Sequence, residues 1–310
     1  MVDIFLKTLP FFALIGLGFG AGKTRFFSEE ATAYLTKFVF YFALSAMLFR
    51  FSANLKLGEI FDGRFIIAYL WGSGFVYGLA TGFAFLRGRG IEEAAIEGQC
   101  AVIGNVGFLG VPMLALLLGE AAIGPVMMVL AIDLIVFGSL IVILVTGARD
   151  GRMSLGILRT VGIGLLKNPM IVSISLGLLW SALSIPIPQP LEEFMTILGA
   201  SATPCALFAI GASLASKSAE RLEIAGWLSF AKLVLHPLFV AFSALFLFPV
   251  DPFPAAVMIS CAALPVAGNV YILAQHYGVA PHRVSASILI STAFSVVTVS
   301  TVIAWVVTLY

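Results

Sequence analysis

The chain has 310 residues, 61% hydrophobic and 11% charged, with a mean hydropathy of +1.09 and a formal net charge of +1. A soluble domain is about half apolar and about a quarter charged, so a water-soluble fold is excluded and lipid must solvate most of this surface. The near-neutral balance also excludes nucleic acid as a partner, because phosphate binding needs a basic stripe.

A helix crosses the hydrocarbon core with about 20 apolar residues. That ruler predicts ten spans, near 4–22, 33–51, 65–86, 95–118, 122–146, 168–185, 193–215, 224–248, 253–275 and 283–309. The first has a single basic flank, Lys7, and no small-residue cleavage site after it, so it reads as a membrane helix and not a signal peptide. Its Gly16–Gly20 and Gly18–Gly22 spacings suit close helix packing. The apolar runs are continuous, which excludes the alternating pattern of an outer-membrane barrel. Cys100, Cys205 and Cys261 lie far apart in apolar runs and suggest neither a disulfide framework nor a zinc site.

Basic residues set the orientation. Loops after odd-numbered spans hold Lys23, Arg25, Arg87, Arg89, Arg149, Arg152, Arg159, Lys167, Lys217, Arg221 and Arg283, against Lys7, Arg50, Lys56 and Arg64 on the other side. The basic side is cytoplasmic, which puts both termini on the non-cytoplasmic side of the inner membrane. Residues 1–147 then form a first five-helix half, 148–167 a short basic cytoplasmic linker that anchors topology, and 168–310 a second half. An offset of 159 residues relates the halves. It carries Pro10, Ile15 and Gly18 onto Pro169, Ile174 and Gly177, Leu48, Phe49 and Ala53 onto Leu207, Phe208 and Ala212, and Val111 and Leu114 onto Val270 and Leu273. Five spans per half is an odd number, so the second half enters from the opposite side, as in the inverted repeats of many secondary transporters.

The fourth span contains Asn105, Gly107, Gly110 and Pro112, and the ninth contains Pro265, Gly268 and Asn269. Glycine and proline at this density break a helix, and Pro112 suits the first turn of a new half-helix. Broken backbone at membrane depth is tolerated only inside protein or along a cavity, and paired breaks in two halves point to a transporter's substrate site. Half-helix N-termini carry unpaired N–H groups and partial positive charge, so the expected ligand is a small anion such as a carboxylate. Asn105 and Asn269 add neutral donors. The plainer reading is that these residues only permit kinks and close packing.

Ionisable groups inside spans are functional candidates. Asp133 lies in the fifth span, and Lys232 and His236 share one face of the eighth beside Pro237. If Asp133 approaches that face, the three form a proton relay or a cation-coupling site; otherwise they are a buried structural ion pair. Lys37, Arg50 and Glu97 sit near span ends and are expected to snorkel to the interface.

The stretch Asn105-Val-Gly-Phe-Leu-Gly-Val-Pro112, with Asn168-Pro169, Leu207-Phe-Ala-Ile-Gly-Ala-Ser-Leu214 and Leu264-Pro-Val-Ala-Gly-Asn-Val-Tyr-Ile-Leu-Ala274, resembles the auxin efflux carrier family, whose bacterial members include transporters of malonate, malate and similar organic acids. The resemblance covers essentially the whole chain. It implies an all-α fold of ten helices in two inverted repeats, with broken fourth and ninth helices crossing at the midplane. It also implies a scaffold of helices 1, 2, 6 and 7 that forms a homodimer, and a moving body of helices 3–5 and 8–10 that shuttles substrate in elevator fashion. Asn105 and Pro112 correspond to the first crossover, Pro265 and Asn269 to the second. The sequence departs from the family's pattern in three ways: Ser45 stands where the second helix often carries proline, the long insertion of plant carriers is absent, and the third span has no central charge.

The reading is a secondary transporter of a small mono- or dicarboxylate, with no cofactor beyond possible H+ or Na+ coupling. A sodium-coupled symporter of the bile-acid type is the alternative, although few acidic and hydroxyl ligands lie near the crossover. An enzyme is disfavoured because Asp133 has no acidic mate and no metal-ligand cluster exists. A channel would need rings of charge or carbonyl groups, and a primary pump a phosphate-binding loop that is absent.

Overall fold

The computed structural model describes residues 2–55, 62–150, 155–215 and 222–310. Lys56, Arg152, Lys217 and Arg221, counted above among the loop cations, lie outside them. The described residues are almost wholly helical. In chain order the helices are α1 (Val2–Lys23), α2 (Glu29–Ala53), α3 (Gly63–Leu86), α4 (Ile91–Val102), α5 (Val106–Leu118), α6 (Glu120–Arg149), α7 (Leu155–Lys167), α8 (Pro169–Ala182), α9 (Gln189–Ala215), α10 (Leu222–Leu247), α11 (Pro252–Ala262), α12 (Gly268–Tyr277) and α13 (Pro281–Leu309). Seven of them (α1, α2, α3, α6, α9, α10 and α13) are long and apolar enough to cross a membrane alone. Helices α7 and α8 qualify together as a pair bent by 73°, and Val106–Leu118 and Pro252–Ala262 are shorter apolar helices.

Local chemistry sets the ends. Ser28 caps α2 by accepting from the Ala31 N–H, Asp62 accepts from Arg64, and Asn168 accepts from Met170 and Ile171 ahead of Pro169. Each side chain satisfies an N–H that the helix itself leaves orphaned. The linker does not remain a loop: residues 155–167 form a helix that packs against α6 and α8.

Small residues decide the closest helix contacts. A Cβ on Gly18 would lie 2.0 Å from the Phe208 carbonyl oxygen, so α1 and α9 pack backbone to backbone, helped by Gly211 against Ile15. Gly177 of α8 meets the Phe49 carbonyl of α2 in the same way, at 2.6 Å. These two contacts exchange under the 159-residue offset. Gly16 and Gly20 face open space, so only the Gly18–Gly22 spacing of the first helix is used for packing within the chain.

Among the described residues five π-helical turns interrupt the helices, at Val39–Ala43, Val106–Gly110, Asp133–Phe137, Ala231–Leu235 and Ser243–Leu247. Two end two residues before a proline, Pro112 and Pro237. Proline clashes with the carbonyl four residues back, and a wider turn there relieves the clash. The half-helix α5 begins at Val106 and contains Pro112, so the break lies ahead of this proline and not at it.

Candidate transport site

Both breaks expected from the sequence are present, and they meet. The extended residues between α4 and α5 run antiparallel to those between α11 and α12, with a bridge pairing Gly104 and Val266. The Asn105 N–H donates to the Pro265 carbonyl at 2.9 Å, and the Ala267 N–H donates to Ile103 at 3.0 Å. The Val266 N–H donates to Ser291 Oγ of α13 at 3.1 Å. Each interruption thus supplies hydrogen bonds that the other lost, which satisfies unwound backbone in a protein interior. Gly104 permits the approach: a Cβ there would sit 3.1 Å from the Cys261 carbonyl and 3.3 Å from Lys232 Nζ.

Two helix C-termini and two helix N-termini converge on this crossing. The N-termini of α5 and α12 have no side-chain cap. Asn105 is 5% exposed, and Oδ1 of half-buried Asn269 has no hydrogen-bond partner. Space beside Gly268 is open, whereas Gly107 abuts Met170 of α8 and Gly110 abuts Leu264 of the crossing. Pro265 contributes its carbonyl to the bridge, and Pro112 lies farther along α5.

Asp133, Lys232 and His236 are all buried, and Lys232 touches the end of α11 at the crossing. Lys232, fully buried on a π turn, donates to the carbonyl of Ala262, the last residue of α11. An ammonium there complements the negative end of the helix dipole. Its nitrogen also lies 3.0 Å from His236 Nδ1, and His236 Nε2 lies 2.8 Å from Ser73 Oγ of α3. With Lys232 donating to Nδ1, the imidazole carries its proton on Nε2 and donates to Ser73. Asp133 opens the π turn of α6; its Oδ1 accepts from Tyr69 OH at 2.8 Å, and its Oδ2 is buried without a partner. No ion pair within 4.0 Å joins Asp133 to Lys232. Asp133 joins this group by its hydrogen bond to Tyr69, whose ring centroid is 6.0 Å from that of His236, and it also faces Lys232 without a direct ion pair.

Sequence reasoning missed Tyr69 and Ser73, which stand one helical turn apart on α3 and so share a face. It also misplaced Glu97. This residue does not snorkel: it is 0% exposed and bridges Arg87 and Arg283. Glu93 adds a second contact to Arg283 at 3.1 Å, and Arg149 binds Glu92 at 2.8 Å and the carbonyl of Tyr277. Arg50 pairs with Glu192 at 2.7 Å, and the Lys37 ammonium lies 5.4 Å from the centroid of the Tyr34 ring. A cavity of about 180 Å³ lies away from the crossing, between α2 and α8 on one side and α3 and α6 on the other. Ile66, Met127, Ile132, Val136 and Ile174 line it with Ser52, so it is largely apolar and offers no charged group to a carboxylate. Among the described residues no group of three or more His, Cys, Asp or Glu side chains could hold a metal.

Comparison with known proteins supplies the family. Residues 3–303 match the family model described as "Membrane transport protein". The chain is 32% identical over 308 residues to a Rhizobium meliloti (strain 1021) protein named "Putative malonate transporter", an alignment covering 97% of this chain and 95% of that one. It is also 25% identical over 298 residues to the "Uncharacterized transporter YfdV" of Escherichia coli (strain K12), covering 94% and 93% of the two chains. Family and relatives are named as transporters and not as enzymes. The chain belongs to the membrane transport protein family that includes the auxin efflux carriers, and it is a multi-pass membrane transporter.

Proposed function

We propose that this transporter moves a small organic anion, a dicarboxylate of the malonate class, and binds it at the crossing of the two broken helices. The observation that carries this reading is the convergence of two uncapped helix N-termini with Asn105, Asn269 and the open space at Gly268. Amide donors and helix dipoles favour an anion without a full charge in low dielectric. Gly107, Gly110, Pro112 and Pro265 shape the two half-helices around it. The name of the Rhizobium relative supports the choice of substrate class.

The bent pair α7–α8 and the broken pairs α4–α5 and α11–α12 complete ten crossings, arranged as two inverted five-helix repeats. The exchange of the Gly18–Phe208 and Gly177–Phe49 contacts supports this symmetry. Helices α1, α2, α8 and α9 form the scaffold and the homodimer contact, while α3–α6 and α10–α13 move as a body. The boundary between the two groups includes the largely apolar cavity, and apolar surfaces slide without breaking ion pairs. Both termini face away from the cytoplasm of the inner membrane.

The test is ligand-induced thermal stabilisation of purified protein across mono- and dicarboxylates, with and without sodium. Bound ligand stabilises by RT ln(1 + [L]/Kd), about 2.7 kcal/mol at 100 times Kd. Stabilisation by malonate that is lost in Asn105→Ala and Asn269→Ala is expected. A set of carboxylates that never shifts the transition defeats the proposal, and a shift that requires sodium favours the symporter reading.

A further inference from the structure

The geometry around Asp133 points to one coupling ion, and this inference rests on the anion-carrier reading above. We propose that Asp133 carries the coupling proton on Oδ2, and that Lys232 is a resident cation that makes sodium unnecessary.

Three observations combine. First, Asp133 is 5% exposed, and its one hydrogen bond comes from Tyr69, leaving Oδ2 buried and bare. A carboxylate oxygen without a donor in the interior is costly, so Oδ2 needs a proton, a cation or a group that arrives during the cycle. Second, the surroundings do not suit a metal cation. The titratable or charged groups that face Asp133 are Tyr69 from α3, Lys232 from α10 and Cys261 from α11; His236 stands behind Tyr69. From α4, the Gln99 amide is spent on the Phe137 carbonyl and Glu97 is held by its two arginines. A hard cation needs about six oxygen ligands. Here the Tyr69 hydroxyl already donates to Asp133, and the Ala262 carbonyl is taken by Lys232.

Third, the two buried charges stand in opposite halves of the chain, each on a π turn, and are not paired directly. π turns concentrate at functional sites. Lys232 is held by the end of α11 and by His236, so its charge stays with the crossing whatever the state of Asp133. A proton from one aqueous phase adds to the carboxylate and gives the neutral acid. The loaded body carries the anion and this proton across, and the proton leaves to the other phase, restoring the carboxylate. No bond of the anion changes. Tyr69 is a positioning residue, because it fixes which oxygen of Asp133 is bare.

Two measurements test this. In proteoliposomes with the membrane potential clamped at zero, wild-type protein should accumulate labelled malonate about tenfold per unit of inward pH gradient for one proton per anion. A sodium gradient should give no accumulation. Asp133→Asn should still exchange labelled for unlabelled malonate but lose accumulation. Sodium-driven accumulation, or Asp133→Asn that still concentrates malonate in a pH gradient, overturns the proposal. Infrared difference spectroscopy against pH gives a second reading that needs no substrate. A protonated carboxyl band that grows on acidification, disappears in Asp133→Asn and shifts its midpoint in Tyr69→Phe is expected; a band untouched by both variants overturns the assignment. If no carboxylate binds or moves at all, the anion reading fails while the infrared result still judges Asp133.

Discussion

Replacing Glu97 tests whether the basic side of the protein is held by buried charge. Its carboxylate is fully buried and shared between Arg87 and Arg283, whose side chains are 19% and 6% exposed. Removing one partner of a buried pair costs about 3–5 kcal/mol, because the remaining charge is uncompensated. Here Arg87 can extend toward water and Arg283 keeps Glu93, so Glu97→Ala should cost about 3 kcal/mol, the lower end of that range. Glu97→Gln keeps hydrogen-bonding atoms but not the charge and should cost about half as much. Equilibrium unfolding in mixed micelles, read by tryptophan fluorescence, gives these differences. A double-mutant cycle with Arg283→Met isolates the pairwise part, expected near 2 kcal/mol. The apolar pair Glu97→Leu with Arg283→Met should recover much of the loss, since well-packed hydrophobic replacements of buried ion pairs are often neutral. A Glu97→Ala protein within about 0.5 kcal/mol of wild type would refute the argument and return Glu97 to the solvated membrane surface.

Gly18→Ala should destabilise the protein and separate α1 from α9, because the new Cβ falls 2.0 Å from a carbonyl oxygen, whereas Gly16→Ala should be neutral or gain up to about 1 kcal/mol; parallel unfolding curves decide it. Asn105→Ala and Asn269→Ala should each weaken malonate binding at least about tenfold, a loss of about 1.4 kcal/mol, without changing the circular dichroism spectrum. Gly104→Val should abolish transport, since its side chain would press on Lys232 and the Cys261 carbonyl; wild-type uptake would show that the crossing tolerates separation. Arg50→Ala should cost under about 1 kcal/mol, because the Arg50–Glu192 pair is one-third exposed.

Much of this was legible in the sequence. Seven of the ten expected spans correspond to single helices long and apolar enough to cross a membrane, because lipid demands a long apolar run and loops punctuate it with Gly, Pro and charge. The breaks around Asn105 and Asn269 announced themselves through glycine and proline. What was hidden depends on tertiary partners. Glu97 looks like an interfacial acid because hydropathy ignores the two arginines that fold over it. The start of α5 at Val106 was hidden because a π turn has no sequence signature and lets Pro112 sit inside a helix. Tyr69 and Ser73 looked like ordinary polar residues of an apolar helix until α6 and α10 supplied Asp133 and His236. The amphipathic character of 155–167 was outweighed by its basic residues, which suggested a loop.

The crossing is tied by main-chain atoms: Asn105 to Pro265, Ala267 to Ile103, Gly104 against Val266. Substitution changes side chains and leaves these ties in place, provided that position 104 stays small. Side chains around the crossing are therefore free to change one residue at a time while the joint itself is inherited intact. The lining is cheap to alter here and the architecture is not.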